Sequence, residues 1–412
     1  MQKLTVWGRH LFGCVLLGIT ASASASDISP ALQQLMQNFL SQHPAAQSAR
    51  ADLERAEAQA RAAGQPLYNP EVEFDYEDAS DITKTVGVAQ TFDWNGKRRA
   101  RNSAAQDNIR AAYATLSATR QQMLGELLGE LSQILTTTDG ARLAARRVTL
   151  LEEFLRLAEQ RFAAGDVGQT DVDLARLALS EAQMQSAAAS ADATATEARL
   201  NALVDHPAMG WPVLPALPGS LKKHDTAALL KQHPVLQQLR AEAAAAYASI
   251  SIANRERRPD PTVSVRGGKE ASDGLIGVTV SIPLYLRNTF RAELDAANAE
   301  AISAEQRYQN TLRRARSAMQ AAVQRYQVTR SALGYWERTG LSSLQGRLET
   351  LQRLWQSGEI DTTDYLVQLQ QTIDTRISAV ELRRATWDAW LAWLQASGTI
   401  EQWLGLTKAP AS

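Results

Sequence analysis

Two aspartates lie at equivalent places in this chain, each six residues after a glycine. Asp171 follows Gly165 and Asp364 follows Gly358, and a threonine directly precedes each acid. Thr-Asp pairs are typical of helix starts, where the carboxylate interacts favourably with the helix dipole. The spacing therefore predicts two turns, each ending one helix and beginning another, with an acid at the same place in both.

Other side chains that commonly carry chemistry are few or unsuitably spaced. Cys14 is the only cysteine and lies in the N-terminal leader. The histidines beyond the leader show no pairing at metal-ligand spacing; they are His43, His206, His224 and His233. We find no nucleophile elbow, zinc-binding helix motif or phosphate loop. The sequence therefore predicts no enzyme, no metal site and no cofactor.

The N-terminus and the charge balance bear on location and partners. Lys3 and Arg9 precede an apolar run over 11–20, and small residues occupy 21–25. This pattern is typical of a secretory signal peptide, so we predict one over residues 1–25. Basic and acidic residues number 43 and 44. Because the charges balance, nothing indicates a nucleic-acid partner.

The rest of the chain uses one pattern twice. His43-Pro44 recurs as His233-Pro234, 190 positions later, and Gly87 recurs as Gly277 at the same spacing. In each copy a helical pattern leads to two alternating runs and then to a long segment without proline. We predict a first repeat over 27–204 with a β-hairpin at 71–92 and a long helical hairpin at 97–204, a proline-rich linker over 205–225, and a second repeat over 226–405 with a β-hairpin at 261–283, a long helical hairpin at 288–396 and a C-terminal tryptophan-rich segment.

The segments after the hairpins are far longer than ordinary helices. Residues 97–163 and 288–356 contain no proline, and each would extend about 100 Å as one helix. Near the C-terminal end of each segment, apolar residues follow 3-4-3-4 spacing, which is typical of coiled coils. We expect each helix to turn back at Gly165 or Gly358 as an antiparallel hairpin. Asp139-Gly140 is a candidate kink in the first helix. The spaced positions are Val148, Leu151, Leu155, Ala158 and Phe162, then Leu341, Leu344, Leu348, Leu351 and Trp355.

The alternating runs predict a sheet with two unlike faces. Val72 and Phe74 alternate with acids in the first hairpin, and the second hairpin has the same period of two. A soluble sheet with one wetted face would show this pattern, and so would a membrane barrel. In a barrel, the lipid-facing residues would be Val72, Phe74, Val278 and Val280, and the lumen-facing acids would be Glu73 and Asp75.

The export signal and the number of strands favour the barrel. Four strands cannot close a barrel, and open strand edges cannot lie in lipid. Three copies of four strands would supply twelve and would leave no edge. The long helices would then continue the barrel as a tube of coiled coils.

The doubled pattern resembles the TolC family of outer-membrane efflux channels over about residues 29–405. Its most specific pieces are Leu67–Phe74, Gln90–Arg98 and Val280–Asn288, which look most like the CzcC-like cation-efflux branch. The resemblance implies a mainly α fold with a small β part: each chain gives four strands to a trimeric 12-stranded outer-membrane β-barrel, continued by a periplasmic α-barrel of long antiparallel coiled-coil helices. It also implies a homotrimer in the outer membrane of a Gram-negative bacterium, in contact with outer-membrane lipid, docked to a periplasmic membrane-fusion adaptor and an inner-membrane RND-type pump.

The resemblance also implies roles for several residues. It places Gly165 and Gly358 at the periplasmic tip, where Asp171 and Asp364 become gate candidates because ringed carboxylates attract cations. The helix-dipole role stays open for both. One departure is Val367, which replaces an acid expected one turn after Asp364. The aromatics at the helix–strand junctions suit an interfacial belt; they are Tyr68, Trp94 and Tyr285.

The function implied is that of a passive exit duct in a tripartite efflux system, with heavy-metal cations as cargo. A duct of the same type for drugs, other small molecules or secreted polypeptide is the alternative within the class. From another class, the same helices would also suit a periplasmic coiled-coil scaffold that never enters the membrane.

Overall fold

A computed structural model describes residues 28–205, 207, 210–221, 225–344 and 346–406, so the predicted signal peptide lies outside the described residues. The elements in chain order are α1 (Pro30–Gln42), α2 (Pro44–Ala63), β1 (Glu71–Asp78), β2 (Ile82–Thr91), α3 (Lys97–Ala164), α4 (Gln169–Leu203), α5 (Thr226–Gln232), α6 (Pro234–Glu256), β3 (Thr262–Glu270), β4 (Asp273–Ser281), α7 (Arg291–Tyr335), a π-helical turn (Trp336–Gly340), α8 (Leu341–Leu344), α9 (Arg347–Gln356), α10 (Thr362–Ser397) and α11 (Ile400–Trp403). The mainly α fold with a small β part is confirmed.

Each repeat contains a helix that begins with a proline. α2 begins at Pro44 and α6 at Pro234, where the missing proline N–H costs no hydrogen bond. His43 and His233 precede these prolines as N-caps in extended backbone. The Nδ1 atom of His43 accepts a hydrogen bond from the Ala45 N–H at 3.1 Å. Both histidines therefore lie at helix starts.

The four strands form one antiparallel sheet in the order β1-β2-β3-β4. The two hairpins join through β2 and β3, where Val88 pairs with Val265. Consequently β1 from the first repeat and β4 from the second are the two outer strands. The pleat of the sheet makes the alternation seen in the sequence continuous across both repeats.

The first long helix is unbroken and the second is not. α3 runs for 68 residues straight through Asp139-Gly140, so the expected kink does not interrupt it. In the second copy, the segment expected as one helix over 288–356 is divided into α7, the π-helical turn, α8 and α9. Gly346 adopts a φ of +74°, a left-handed conformation that ends a helix. The Trp336 ring lies against Gly340, where an added Cβ would collide with it.

Two hydrophobic cores hold the helices together. The larger surrounds the middle of α3 and the end of α10, where Trp387 and Trp390 are buried with Leu127 and Leu131. The tryptophan stripe therefore packs against the helical body. The smaller core lies near the turns at Gly165 and Gly358. In the part of the chain that the structure describes, every helix lacks the apolar stretch that crossing a membrane requires.

Candidate functional site

One face of the sheet is apolar and exposed. Val72, Val88, Val265 and Val278 are partners in turn across all four strands, so they form one row. Each is more than half exposed, and Phe74 in the neighbouring row is 76% exposed. A continuous apolar face without protein cover indicates contact with something outside the chain. Val280 lies on this same face, two residues after Val278.

The opposite face is acidic. It carries Glu73 and Asp75, and the full set of acids on it is Glu71, Glu73, Asp75, Glu77, Glu270 and Asp273. Asp75 accepts a hydrogen bond from the Thr85 hydroxyl at 3.3 Å. Because this face has many more carboxylates than cations, it favours the presence of positive ions over it.

Arg266 is the one basic residue of the four strands on the acidic face, and its role was not predicted from the sequence. Its Nη1 lies 3.8 Å from the Asp75 carboxylate. The side chain lies over Gly87 and Gly277, where an added Cβ would come within 3.1 Å or less of Arg266 atoms. The two glycines that mark the repeat therefore make room for this arginine. Their shared spacing was the signal for it.

A buried polar cluster joins the two repeats beneath the sheet. The Lys97 ammonium lies 2.9 Å from Asp260 Oδ2, and both side chains are at least 93% buried. The Tyr68 hydroxyl donates to the same oxygen at 2.8 Å, and the Asn95 amide donates to Asp260 Oδ1 at 3.3 Å. Burial alone would raise the pKa of Asp260, but these donors outweigh it and hold the pKa below its usual value. The carboxylate is thus kept ionised between the repeats.

The three aromatics at the helix–strand junctions have different surroundings. Trp94 is 78% exposed. Tyr68 turns its hydroxyl inward to Asp260, and burial raises its pKa to about 12. Tyr285 packs edge-on against Phe290 with 4.9 Å between ring centroids. Of the three, Trp94 is the most exposed, and Tyr68 and Tyr285 are half-buried.

The first tip uses its aspartate to satisfy a helix start. α3 turns into α4 through Gly165, whose φ is +83°. Residue 168 is the N-cap of α4, and the Asp171 carboxylate accepts a hydrogen bond from the Gly168 N–H at 2.9 Å. Because glycine has no side chain to cap a helix, Asp171 supplies the hydrogen bond at this end. The helix starts just before Thr170, the residue expected to cap it.

The second tip leaves the equivalent aspartate free. Gly358 has a φ of +75°, and the N-cap of α10 is Asp361, which lies 193 positions after Gly168. Asp361 Oδ1 accepts a hydrogen bond from the Asp364 N–H at 2.7 Å. The Asp364 side chain is exposed and has neither a hydrogen bond nor an ion pair with another described residue. Its charge is therefore available to whatever lies beside the tip.

A compact aromatic group fastens the two tips to each other. The Phe154 and Tyr365 rings stack at 4.6 Å, and Trp355 lies 4.6 Å from Phe154. Arg161 from α3 stands over the Trp355 ring and donates to its backbone carbonyl at 2.9 Å. Burial, joined by the charge of Glu153, raises the pKa of Tyr365 to about 12. Leu151 and Leu351 of the predicted seam are buried here, whereas the outer seam residues Phe162 and Leu341 are exposed.

The described residues contain no group of three or more His, Cys, Asp or Glu side chains that could hold a metal ion. The Nε2–H of His233 donates a hydrogen bond to the Gln395 carbonyl at 3.0 Å, and burial lowers the pKa of the imidazole. It lies against Gly398, where the chain closes on the start of the second repeat. His233 thus holds α10 to α6.

The chain matches a family model described as outer membrane efflux protein over residues 35–205 and 227–399. These two ranges overlap the segments predicted as repeats, and the gap between them overlaps the predicted linker.

Two curated relatives and one solved structure show how far the similarity extends. The cobalt-zinc-cadmium resistance protein CzcC of Cupriavidus metallidurans is 24% identical over 82% of this chain and 81% of its own length. The nickel-cobalt-cadmium resistance protein NccC of Alcaligenes xylosoxydans xylosoxydans is 28% identical over 76% of this chain and 74% of its own. The CmeC outer membrane channel of Campylobacter jejuni superposes with a TM-score of 0.73 at 16% identity, covering 96% of this chain and 94% of that one. The last similarity concerns the fold.

Proposed function

Since this chain belongs to the outer membrane efflux protein family, we propose that it forms a passive trimeric duct through which heavy-metal cations leave the cell. It is an outer-membrane efflux channel with a large periplasmic helical part. The acidic face of the sheet carries the proposal on cargo, because six carboxylates face one arginine there. Two relatives support it, one named for resistance to cobalt, zinc and cadmium and the other for resistance to nickel, cobalt and cadmium.

The sheet edges support the proposed trimer. β1 and β4 are the outer strands, and each has a row of backbone groups unpaired within the chain. Pairing β4 of one protomer with β1 of the next would satisfy both rows and close a twelve-stranded barrel. The apolar face would then meet lipid through Val72, Phe74, Val278 and Val280, and the acidic face would line the lumen.

Cysteine cross-linking tests this closure. The chain has no cysteine beyond Cys14, so introduced pairs are unique after export. Glu73→Cys with Thr279→Cys puts both thiols on the acidic face, one on each edge strand. We expect oxidation to produce covalent dimers and trimers. Glu73→Cys with Val280→Cys, on opposite faces, is the control and should stay monomeric. Failure of every same-face pair along these edges would contradict the barrel.

At the periplasmic tip, we place Asp171 and Asp364 from three protomers around the opening. Carboxylates gathered around a narrow opening attract cations, multivalent ones most strongly. The double variant Asp171→Asn with Asp364→Asn should therefore weaken cation selectivity and block by multivalent cations in planar-bilayer recordings. Trimers should persist, because Asn is also a good residue at a helix start. Unchanged selectivity and block would reduce both acids to helix-start residues.

A test of tolerance in cells distinguishes a duct for cations from a duct for organic molecules. A strain that lacks the gene should lose tolerance to zinc, cobalt, cadmium or nickel, and the wild-type gene should restore it. Sensitivity to organic compounds with normal metal tolerance would contradict the cation proposal.

The duct is expected to work with a periplasmic membrane-fusion adaptor and an inner-membrane RND-type pump, so co-purification of both after cross-linking is the matching test.

A further inference from the structure

The apolar face of the sheet has charged residues at each end. At the end near the hairpin turns, Lys84 pairs with Lys269, and the Lys84 ammonium lies 5.6 Å from the centre of the Tyr76 ring. From Lys84 to Thr91, where β2 ends, the strand advances seven residues, or about 24 Å. At a strand tilt of about 40° this is about 18 Å of height, and the exposed Phe92 and Trp94 continue this apolar band past the end of the strand.

Below this band, exposed apolar residues lead directly to arginines. Leu284 is 75% exposed and Leu286 is 81% exposed, and both follow the end of β4. Arg287 comes next in the chain and is exposed as well. Trp94, at the equivalent end of β2, is followed by the basic start of α3. The change from apolar to basic residues therefore occurs at one level beneath the sheet.

The basic residues at this level divide into two sets. Lys97 pairs with Asp260, Arg101 pairs with Glu256 at 2.8 Å, and Arg255 donates to the Asn95 carbonyl. The other set is exposed, and its side chains make no ion pair or hydrogen bond with any described residue. We call this set the arginine group; it consists of Arg98, Arg99, Arg258, Arg287 and Arg291.

The fold brings the arginine group together from three segments. α6 packs against both α3 and α7, so its C-terminal end lies between their N-terminal ends. Arg257 at that end donates through Nε to the Thr289 carbonyl at 3.4 Å, which ties it to the segment before α7. Arg258 thus lies between the basic starts of the two long helices. Five exposed positive charges at one level form a surface that attracts anions.

We propose that the arginine group is a binding surface for the headgroups of anionic phospholipids in the periplasmic leaflet. The proposal rests on the outer-membrane location described above. A guanidinium donates in a fork that matches a phosphodiester, and its stem lies well along apolar surface such as Leu284 and Leu286. Near an anionic membrane surface, each basic residue raises affinity about fivefold. Three protomers would present a ring of such surfaces around the barrel.

Lipid exchange onto the purified trimer tests the proposal. Delipidated trimer in neutral detergent is titrated with phosphatidylglycerol or phosphatidylcholine, and bound lipid is counted by native mass spectrometry. We expect the wild type to prefer phosphatidylglycerol about tenfold or more. The triple variant Arg258→Gln, Arg287→Gln, Arg291→Gln should lose that preference, and the corresponding triple lysine variant should keep most of it because it retains the charge.

The matched control lies farther along α7. Arg313→Gln, Arg314→Gln and Arg316→Gln remove the same charge from exposed positions and should leave the preference unchanged. A glutamine triple variant that binds phosphatidylglycerol as the wild type does would overturn the proposal, and so would an equal loss in the control. Displacement of the lipid by inorganic phosphate, but not by chloride at equal ionic strength, would indicate a free-phosphate site and also overturn it. Fractionation separates these results from failure of the proposed function, in which case the wild type itself would be absent from the outer membrane.

Discussion

The two repeats are joined to each other beneath the sheet and differ toward their tips. Under the sheet, residues of both copies share one buried cluster in which Asp260 of the second repeat binds Lys97 and Tyr68 of the first. Farther along, the first copy is a single helix of 68 residues, and the second is broken by a π-helical turn and by Gly346. The two copies are therefore joined at the sheet end by contacts between unlike residues, whereas their far ends have taken different structures.

The tips show the same divergence at the level of single residues. Asp171 is engaged by the backbone of its own helix start, and Asp364 is not, because Asp361 performs that task. The first tip has glycine at 168 where the second has Asp361, and the second acid is the one whose side chain has no hydrogen bond with a described residue. The first repeat thus provides a continuous support, and the second provides a segmented helix with a free charge at its end.

Asp260→Asn should have the largest effect on stability, because it removes an ion pair that joins the two repeats. It leaves the Lys97 ammonium buried without its counter-charge, and breaking a buried pair in this way costs about 3–5 kcal/mol. We expect a clear fall in the denaturant midpoint of the detergent-solubilised protein, followed by tryptophan fluorescence. Arg101→Gln, which removes the exposed pair with Glu256, should cost at most about 1 kcal/mol. Equal effects would mean that the shared end is not the stronger one.

The same pair predicts a pH dependence. The folded pKa of Asp260 is held below its usual value, so the pair contributes stability at pH values above the ordinary aspartate pKa of about 4. This stability is lost as the pH falls through the lowered pKa. Acid unfolding of the wild type should therefore include a step below about pH 4 that Asp260→Asn lacks. An unchanged acid profile in the variant would place the acid sensitivity elsewhere.

Much of this arrangement could be predicted from the sequence, and the reasons differ by region. The period of two in Val72–Tyr76 is a local signal that predicted the first hairpin. The 190-residue spacing of Gly87 and Gly277 predicted the repeat. The break at Gly346 was missed because a proline-free segment gives no strong stop, and glycine is tolerated within helices, as Gly140 demonstrates. The link between Asp260 and Lys97 was missed because it joins residues far apart in the chain.

Gly346 and Gly140 allow the same change to be made in the broken and in the continuous helix. Gly346→Ala forces a side chain into a left-handed conformation, at a cost of about 1–2 kcal/mol, and no neighbouring atom adds to that cost. Gly140→Ala should instead stabilise α3 by about 0.5–1 kcal/mol, because alanine is the better helix former and the space is open. Hydrogen exchange across α9 and the middle of α3 measures both effects. The same sign at both sites would mean that the break near Gly346 is not fixed by its backbone.

The smallest effects on stability are expected at the tips, where the comparison of the two repeats is sharpest. Asp171→Ala removes the acceptor for the Gly168 N–H and should lower local stability of the first turn of α4 by about 1 kcal/mol. Asp364→Ala keeps the Asp361 cap, so the first turn of α10 should lose only the weaker helix-dipole term, about 0.3–1 kcal/mol. Amide exchange in the two turns, measured on the intact trimer, gives these differences directly.

Single-channel recordings should rank the two variants in the opposite order for ion selectivity. The unengaged charge of Asp364 faces its surroundings, whereas that of Asp171 is shared with its own backbone. If Asp171→Ala changed ion selectivity more than Asp364→Ala, then helix capping and ion attraction would reside in one residue, and the two tips would not have divided these roles.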